Sequence, residues 1–356
     1  MALLRGLLAA VAATAAAGAG APIPGRYSGV TAQPGRYAVI SFDTSAGQVT
    51  RGQINWAARC TSGKTIGWGV DFPTLHLSRG AWSVPGSLTY PVPRSVYRAP
   101  GPVSGFFDIV ENKGQFTSPI SATGTFRETV TLSRRGRHID TCDTGTIRWN
   151  AGTFASGRAS TLVVPAHARI AGLAYAQWLA RDFQWRGRFT RQDPGSGPST
   201  ASCVNADQHG PVWFADVDVW SESHVLRVTC HIPAGQYVLI DEPWSDCSTV
   251  EAPPFHARTD PGLRHCATAT PIRTSLAYDG TVISPAGIGV TTSPMDFTMP
   301  ARDNMLGLPG VTHGRAVAYG RPVILGPLRR GVHTLNSVFE YGHDPVVALQ
   351  YVLTVS

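Results

Sequence analysis

The stretch YAVISFDTSAGQVTRGQINWAARC, residues 37–60, gives the clearest evidence for how this chain folds. Apolar and polar side chains alternate on both sides of a Ser-Ala-Gly turn, which is the pattern of two strands that each bury one face. Further alternating runs follow at a spacing of roughly ten residues, with turn residues between them. This arrangement is typical of an antiparallel sandwich or barrel.

The N-terminal residues have the pattern of an export signal. Arg5 precedes an apolar run at 6–17, and Ala17-Gly18-Ala19 supplies the small residues that a signal peptidase requires. The run is shorter than the about 20 apolar residues that a membrane-spanning helix needs. We therefore predict a signal peptide at 1–19. We expect a secreted protein, extracellular or in the cell envelope, without a transmembrane segment after cleavage.

Turn signals and composition predict two β domains in the mature chain. We expect a basic antiparallel β domain at 20–150, a linker at 151–168, and a β-sandwich domain at 169–356 that begins with a helix. The helix is predicted from one apolar stripe, formed by Ile170, Leu173, Ala174, Trp178 and Trp185. The predicted fold class is all-β, with two antiparallel β-sandwich or barrel domains, the second preceded by one amphipathic helix.

Six cysteines suit an oxidising compartment. Cys60 and Cys142 have no competing cysteine nearby, so we expect them to pair. The quartet Cys203, Cys230, Cys247 and Cys266 allows three connectivities, of which we favour the pairing of neighbours, Cys203–Cys230 and Cys247–Cys266. With all six paired, no thiol is left as a nucleophile or metal ligand, and we expect no cofactor and no metal.

Charge is divided unevenly along the chain. Residues 20–160 carry 15 Arg and Lys against 7 Asp and Glu, a net of +8, whereas residues 161–356 carry 14 against 16, a net of −2. A basic first half favours anionic envelope polymers or lipid headgroups as partners. Alternatively, the basic half docks on the acidic half or is merely soluble. Export argues against nucleic acid as a partner.

The run WFADVDVW at 213–220 contains the first group of candidate ligand-binding residues. In a regular strand one face presents four side chains together, Phe214, Asp216, Asp218 and Trp220. Two carboxylates between two aromatic rings suit a sugar or Ca²⁺. Their spacing of about 6.6 Å along a strand also permits the carboxyl pair of a glycosidase. A purely structural alternative pairs the aspartates with Arg227 and His231 on the following strand.

A second acidic group follows the strand at 237–241. Asp241, Glu242 and Asp246 lie close in sequence to Trp244 and Cys247. Of these, Asp241, Glu242 and Trp244 complete our set of candidate ligand-binding residues, because loops at the rim of a sandwich commonly carry function. A polar turn held by the disulfide explains the same residues without a ligand. No spacing in the sequence supports a nucleophile elbow or a histidine metal site.

The chain resembles two kinds of uncharacterised secreted β domain found in GC-rich bacteria. The first half carries GRYSGVT at 25–31, ISFD at 40–43, NWAARC ending at Cys60 and CDTG at 142–145. The second half carries QHGPVWF at 208–214, RVTC at 227–230, IPAG at 232–235 and GVHTL at 331–335. The resemblance implies an exported two-domain β protein with no assigned activity, and it supplies no catalytic residues.

The sequence therefore predicts a secreted or envelope-associated, non-enzymatic β protein that binds carbohydrate or another extracellular polymer. The alternative is an extracellular glycan hydrolase that uses carboxylates of the second domain. The two differ in their sites, because a hydrolase needs two converging carboxyls with one of them shielded from water. The sequence does not predict an oligomeric state.

Overall fold

The computed structural model of the protein describes residues 21–356 apart from 34–38, 85–87, 93–95, 98–102, 191–199, 217–225, 241–243, 284–288 and 343–345. Strands dominate, and two helices occur among these residues, so the prediction of an all-β fold is confirmed. We call residues 21–152 the N-terminal unit and residues 153–356 the C-terminal unit. The predicted signal peptide lies outside the described residues.

The strands of the N-terminal unit pair into one antiparallel sheet. They are β1 (Gly25–Thr31), β2 (Val39–Ser45), β3 (Gln48–Cys60), β4 (Thr65–Phe72), β5 (Leu75–His76), β6 (Ala81–Ser83), β7 (Leu88–Pro91), β8 (Ser104–Ser118), β9 (Ser121–Arg134), β10 (Arg137–Asp143) and β11 (Ile147–Gly152). Because β10 pairs with both β3 and β9, the strands β3, β2, β1, β11, β9 and β10 close into a ring. Strand β8 extends the sheet beyond β9, and β6 and β7 pair with β8.

Two-residue turns set the register of several hairpins. Among the described residues, five of them have positive φ at both central residues, namely Ala46-Gly47, Arg79-Gly80, Arg135-Gly136, Ala171-Gly172 and Asp279-Gly280. This is the type I′ geometry, whose twist matches that of the flanking strands. The Ser-Ala-Gly turn predicted from the sequence contains the first of them.

Aromatic side chains fill the ring. The indoles of Trp82 and Trp149 stack with their centroids 5.7 Å apart, and the Phe42 ring meets each of them edge-on at 5.3 and 6.0 Å. All three side chains are buried and come from inward positions of alternating strands. The alternation that predicted the strands thus also supplies the core of the ring.

A disulfide lies at the seam where β10 meets β3. Only Cys142 and Asp143 of β10 are in register with β3 among the described residues, opposite Cys60 and Arg59. The Cys60–Cys142 disulfide therefore joins the shortest pairing of the ring. Cys203–Cys230 and Cys247–Cys266 are also formed, so all three predicted pairings are confirmed.

A buried carboxylate reinforces this seam. Asp140 accepts hydrogen bonds from the hydroxyls of Thr61 (2.6 Å), Tyr97 (2.8 Å) and Ser62, and from the backbone N–H groups of Ser62 (3.1 Å) and Thr141 (3.0 Å). Burial opposes ionisation, but these donors outweigh it and hold the pKa of Asp140 well below its usual range. The charged carboxylate thus ties the loop after β3 to β10.

We expect Asp140→Asn to lower the free energy of unfolding by about 2 kcal/mol at neutral pH, because the amide weakens several charge-assisted hydrogen bonds. The depressed pKa stabilises the fold above the pKa of the unfolded carboxyl and does so less as the pH falls below it. Urea unfolding at neutral pH and at about pH 3 should therefore show the difference shrinking in acid. Asp71→Asn, at an exposed position, is the matched control. An equal loss in the two variants would contradict the role assigned to Asp140.

The C-terminal unit is built from three sheets and two helices. Its elements are α1 (Tyr175–Arg186), β12 (Thr200–Ser202), β13 (Val212–Phe214), β14 (Arg227–Ile232), β15 (Tyr237–Ile240), β16 (Trp244–Ser248), α2 (Asp260–Ala267), β17 (Ile272–Tyr278), β18 (Thr281–Ile283), β19 (Val290–Thr291), β20 (Met295–Thr298), β21 (His313–Gly320), β22 (Val323–Leu325), β23 (Gly331–Tyr341) and β24 (Val347–Val355). The sheets have the orders β12-β14-β24-β23-β17-β18, β13-β15-β22 and β16-β21-β19, with β20 also on β21.

The C-terminal unit also contains parallel strand pairs, which the sequence did not predict. Strand β14 is parallel to both β12 and β24, and β13 is parallel to β15. Alternation of side chains indicates which face of a strand is buried but not the direction of its neighbour. The parallel pairs join strands that are distant in sequence, as parallel pairing requires.

The helices differ in part from the prediction. Helix α1 begins five residues after Ile170 and buries Trp178 and Trp185, so both tryptophans pack against the sheet. Helix α2 was not predicted, although Thr259 caps it by accepting a hydrogen bond from the Gly262 N–H and a proline occupies its first turn. Its short length and Gly262 hid this signal. Residues 151–168, predicted as a linker, begin inside β11, and Val163 forms a bridge with Leu325.

The two units meet along β11. The Asn150 amide donates to the carbonyls of Leu226 (2.6 Å) and Ala348 (2.9 Å) in the C-terminal unit. Gly152 lies against Val338 so closely that a Cβ there would stand 2.4 Å from a Val338 methyl carbon. Side chains of Ile120 and Val338 are buried in a shared apolar cluster. The contact is therefore close-packed at Gly152 and Val338.

Candidate functional site

Phe214 does not form the exposed aromatic platform predicted from the sequence. Strand β13 ends at Phe214, whose side chain is only 5% exposed. Its ring lies 5.2 Å from that of Trp185 and 6.4 Å from that of Trp178, beneath helix α1. The helix covers the face that alternation left open, so this part of the prediction is wrong. Asp218 and Trp220 lie outside the described residues.

Asp216 and Trp244, predicted in two separate groups, lie around the same arginine. Asp216 is 1% exposed, and its Oδ2 is 2.8 Å from Nε of Arg186, which is also buried. The Arg186 guanidinium lies 5.4 Å from the centroid of the Trp244 ring. Asp216 is thus paired, but with helix α1 rather than with Arg227 or His231 on the next strand.

The group of Arg186, Asp216 and Trp244 connects α1, β16 and residues 215–216, which follow β13. Taking an ion pair out of water is costly, so it is retained only where geometry and further contacts compensate. Trp244 provides one such contact through its ring face, and its edge packs on Phe183 with centroids 5.3 Å apart. The group therefore fixes the position of α1. Asp241 and Glu242 lie outside the described residues.

Two other carboxyls converge next to it. Burial and the nearby Glu251 carboxyl raise the pKa of Asp246 well above its ordinary value, and burial also raises the pKa of Glu251. The Ser248 hydroxyl donates to Glu251 Oε2 at 2.9 Å. Carboxyls this close titrate as a pair rather than independently. The sequence indicated Asp246 as acidic and aromatic-flanked, but Glu251 was missed because it lies beyond the strand, in the turn.

A further carboxyl lies inside the ring of the N-terminal unit. Glu128 is fully buried, at an inward position of β9 between Phe126 and Val130. Burial raises its pKa to about 8, and the nearby Trp56 side chain offsets the effect in part. The sequence contains the signal for this position, because Phe126, Glu128 and Val130 alternate on one face. Glu128 is therefore a neutral acid within an apolar core.

The surface of the N-terminal unit carries an open trough of about 640 Å³. Register places Ser83, Lys113 and Thr125 in one row across β6, β8 and β9, and Ala81, Gln115 and Thr123 in a second row. The rows are about 6.6 Å apart, since each pair of neighbours is two residues apart along its strand. We call this feature the β8–β9 trough.

The floor of the trough has no side chains on β8 and β9. Gly114 lies directly opposite Gly124, and the stacked indoles of Trp82 and Trp149 press on them from inside the ring. A Cβ on Gly114 would stand 2.2 Å from the Trp82 ring, so the glycine is required for this packing. The trough can seat one extended chain, with hydroxyl, amide and ammonium groups on its walls. Sequence reasoning missed it, because the rows combine residues from three strands.

A second groove, of about 580 Å³, lies on the C-terminal unit between the end of α1 and the β20–β21 hairpin. Its charges are largely satisfied within the protein. Arg315 donates two hydrogen bonds to Asp260 (2.8 and 2.9 Å) and one to Asp296 (3.2 Å), and Arg188 bonds to Asp207 (3.1 Å). This groove therefore leaves few charged donors free for a ligand.

Comparison with known proteins adds no relative. No family model matches the chain, and no curated protein matches it. The resemblance to exported bacterial β domains stays a prediction drawn from the motifs quoted above. Neither helix in the described part of the chain has the length and apolar character needed to cross a membrane.

Proposed function

We propose that this is a non-enzymatic β protein of the cell exterior that binds an extracellular polymer, with carbohydrate as the first candidate, in the β8–β9 trough. One observation carries the proposal: an open trough, floored by backbone and walled by hydroxyl, amide and ammonium groups, runs across three strands. Hydroxyl-rich ligands need many donors and acceptors at fixed positions. The three disulfides fit an extracellular protein.

The hydrolase alternative is favoured by a different observation. Asp246 and Glu251 form a carboxyl pair in which burial raises both pKa values, the direction of shift that a general acid requires. Neither residue lines the trough or the second groove. A polymer in either place would therefore not reach the pair directly, and for that reason we place binding before catalysis.

The test is retention of the mature protein on insoluble cell-wall and polysaccharide fractions. The combined variant His76→Ala/Lys113→Ala/Gln115→Ala should weaken retention roughly tenfold or more, because each lost hydrogen bond costs about 0.5–1.5 kcal/mol. The matched control, Gln184→Ala/Arg188→Ala/His313→Ala in the second groove, should retain the wild-type affinity.

No retention on any fraction would refute the proposed function, and equal effects of the two variants would remove the trough as its site. Release of new reducing ends during the incubation, abolished by Asp246→Asn, would instead establish the hydrolase.

A further inference from the structure

A compact group of arginines lies at the far end of β9 from the trough. Arg134 ends β9, Arg137 begins β10, and Arg135 occupies the turn between them. We call these three residues the arginine hairpin. Residues 20–160 have a net charge of +8, and three of their positive charges lie within residues 134–137.

The geometry of the hairpin brings like charges together. Register places Arg134 directly opposite Arg137, and like charges directly opposite each other in an antiparallel pair are destabilising. The type I′ turn, with φ of 51° at Arg135 and 76° at Gly136, is short and leaves the two arginines no freedom to separate along the chain.

Three other arginines of the same unit are neutralised by acids. Arg26 and Arg51 both contact Asp43, and Arg127 bonds to Asp143. Within the described part of the chain, no acidic side chain forms an ion pair with Arg134, Arg135 or Arg137. Moreover, Nε of Arg134 is shielded from water without an acceptor there. A donor in that position is costly unless a partner completes it.

We propose that the arginine hairpin binds the anionic groups of an extended polymer, either carboxylates or phosphates, as a contact additional to the β8–β9 trough. Guanidinium groups present paired donors that match both kinds of oxyanion. A bound anion relieves the repulsion between Arg134 and Arg137. The inference rests on the proposed function for its polymeric ligand, but it concerns a separate set of residues.

The experiment measures binding of the mature protein to sodium polygalacturonate, to its methyl-esterified form and to long-chain polyphosphate at low salt. The variant Arg134→Gln/Arg135→Gln/Arg137→Gln should bind the polyanions about tenfold more weakly, and added salt should weaken the wild type toward the variant. The matched control is Arg302→Gln/Arg329→Gln/Arg330→Gln, which removes the same charge from exposed positions of the C-terminal unit. It should bind as the wild type does.

Each outcome decides the proposal. Wild-type binding of the polyanions by the hairpin variant, or an equal loss in the control, would overturn it in favour of general charge attraction. Binding to vesicles of anionic lipid but to neither polyanion would overturn it in favour of a membrane. Preference for polygalacturonate over polyphosphate would identify carboxylate as the group recognised, and the reverse would identify phosphate. Trough-dependent retention on neutral polysaccharide, together with no effect of the hairpin variant on binding of either polyanion, would refute this inference alone. Circular dichroism of each variant establishes that it is folded.

Discussion

Glu128→Gln should raise the free energy of unfolding by roughly 4 kcal/mol at about pH 9 and leave it nearly unchanged at about pH 4. The expectation follows from the position of Glu128 inside the ring of the N-terminal unit, where burial raises the pKa of its carboxyl to about 8. Glutamine has nearly the same shape but cannot ionise. The substitution therefore removes the cost of placing a carboxylate in an apolar core.

The pH window follows from the two pKa values. The folded protein keeps the Glu128 proton up to a pKa of about 8, whereas the unfolded chain releases it near the ordinary value of 4.5. Between these values the folded state binds one more proton than the unfolded state, so the free energy of unfolding falls as the pH rises. Below this pH range the protonated carboxyl hardly lowers the free energy of unfolding, and above the range it lowers that free energy by the full amount.

Urea unfolding followed by tryptophan fluorescence at several pH values measures both effects. Asp71→Asn is the control, because Asp71 lies at an exposed position of the same unit. It also replaces a carboxyl by an amide but without burial, so this variant should keep the slope of stability against pH of the wild type. If the free energy of unfolding of the Glu128→Gln variant fell with pH as steeply as that of the wild type, another group would be responsible for the pH dependence.

The second large effect concerns the seam of the ring. Cys60→Ala/Cys142→Ala should lower the free energy of unfolding by about 4 kcal/mol, because the disulfide closes a long loop in the unfolded chain. The Cys60–Cys142 pair spans 82 residues, against 27 for Cys203–Cys230 and 19 for Cys247–Cys266. Removing either of the shorter pairs should therefore cost less, by about 1 kcal/mol.

Hydrogen exchange can locate the consequence. Besides the disulfide, the β3–β10 seam is held by Asp140 and by a backbone hydrogen bond from Thr61 to the Thr141 carbonyl at 2.9 Å. In the variant, backbone amides at Arg59, at position 142 and at neighbouring residues should exchange fastest, while the β9–β11 pairing keeps its protection. Uniform loss of protection across the ring would contradict a local role for the seam.

The sequence predicts strands well here because each strand buries one face. Alternation in residues 37–60 predicted β2, β3 and the turn between them, and the disulfide pairings followed from spacing and count. Whether two neighbouring strands run parallel or antiparallel was not predictable in the same way. The parallel neighbours of β14 come from both sides of it in sequence, and alternation carries no information about them.

The candidate site was predictable only as far as single strands go. Asp216 and Trp244 were predicted in two separate groups. Their common partner, Arg186, belongs to helix α1 and lies 30 and 58 residues earlier in the chain. Phe214 was assigned to an exposed face because the strand pattern does not show what covers that face. The β8–β9 trough escaped for the same reason, since its walls need the register of three strands.

The position of β24 in its sheet sets an order of events during folding. This last strand lies between β14 and β23, in the interior of the six-stranded sheet. The sheet therefore stays divided until residues 347–355 have been synthesised and are free to pair, and its folding is delayed accordingly. The ring of the N-terminal unit needs only residues 25–152 and can close earlier. Asn150 and Gly152 would then already hold their final positions on the folded N-terminal unit when β24 pairs. The C-terminal unit would therefore complete its fold against the surface of the N-terminal unit.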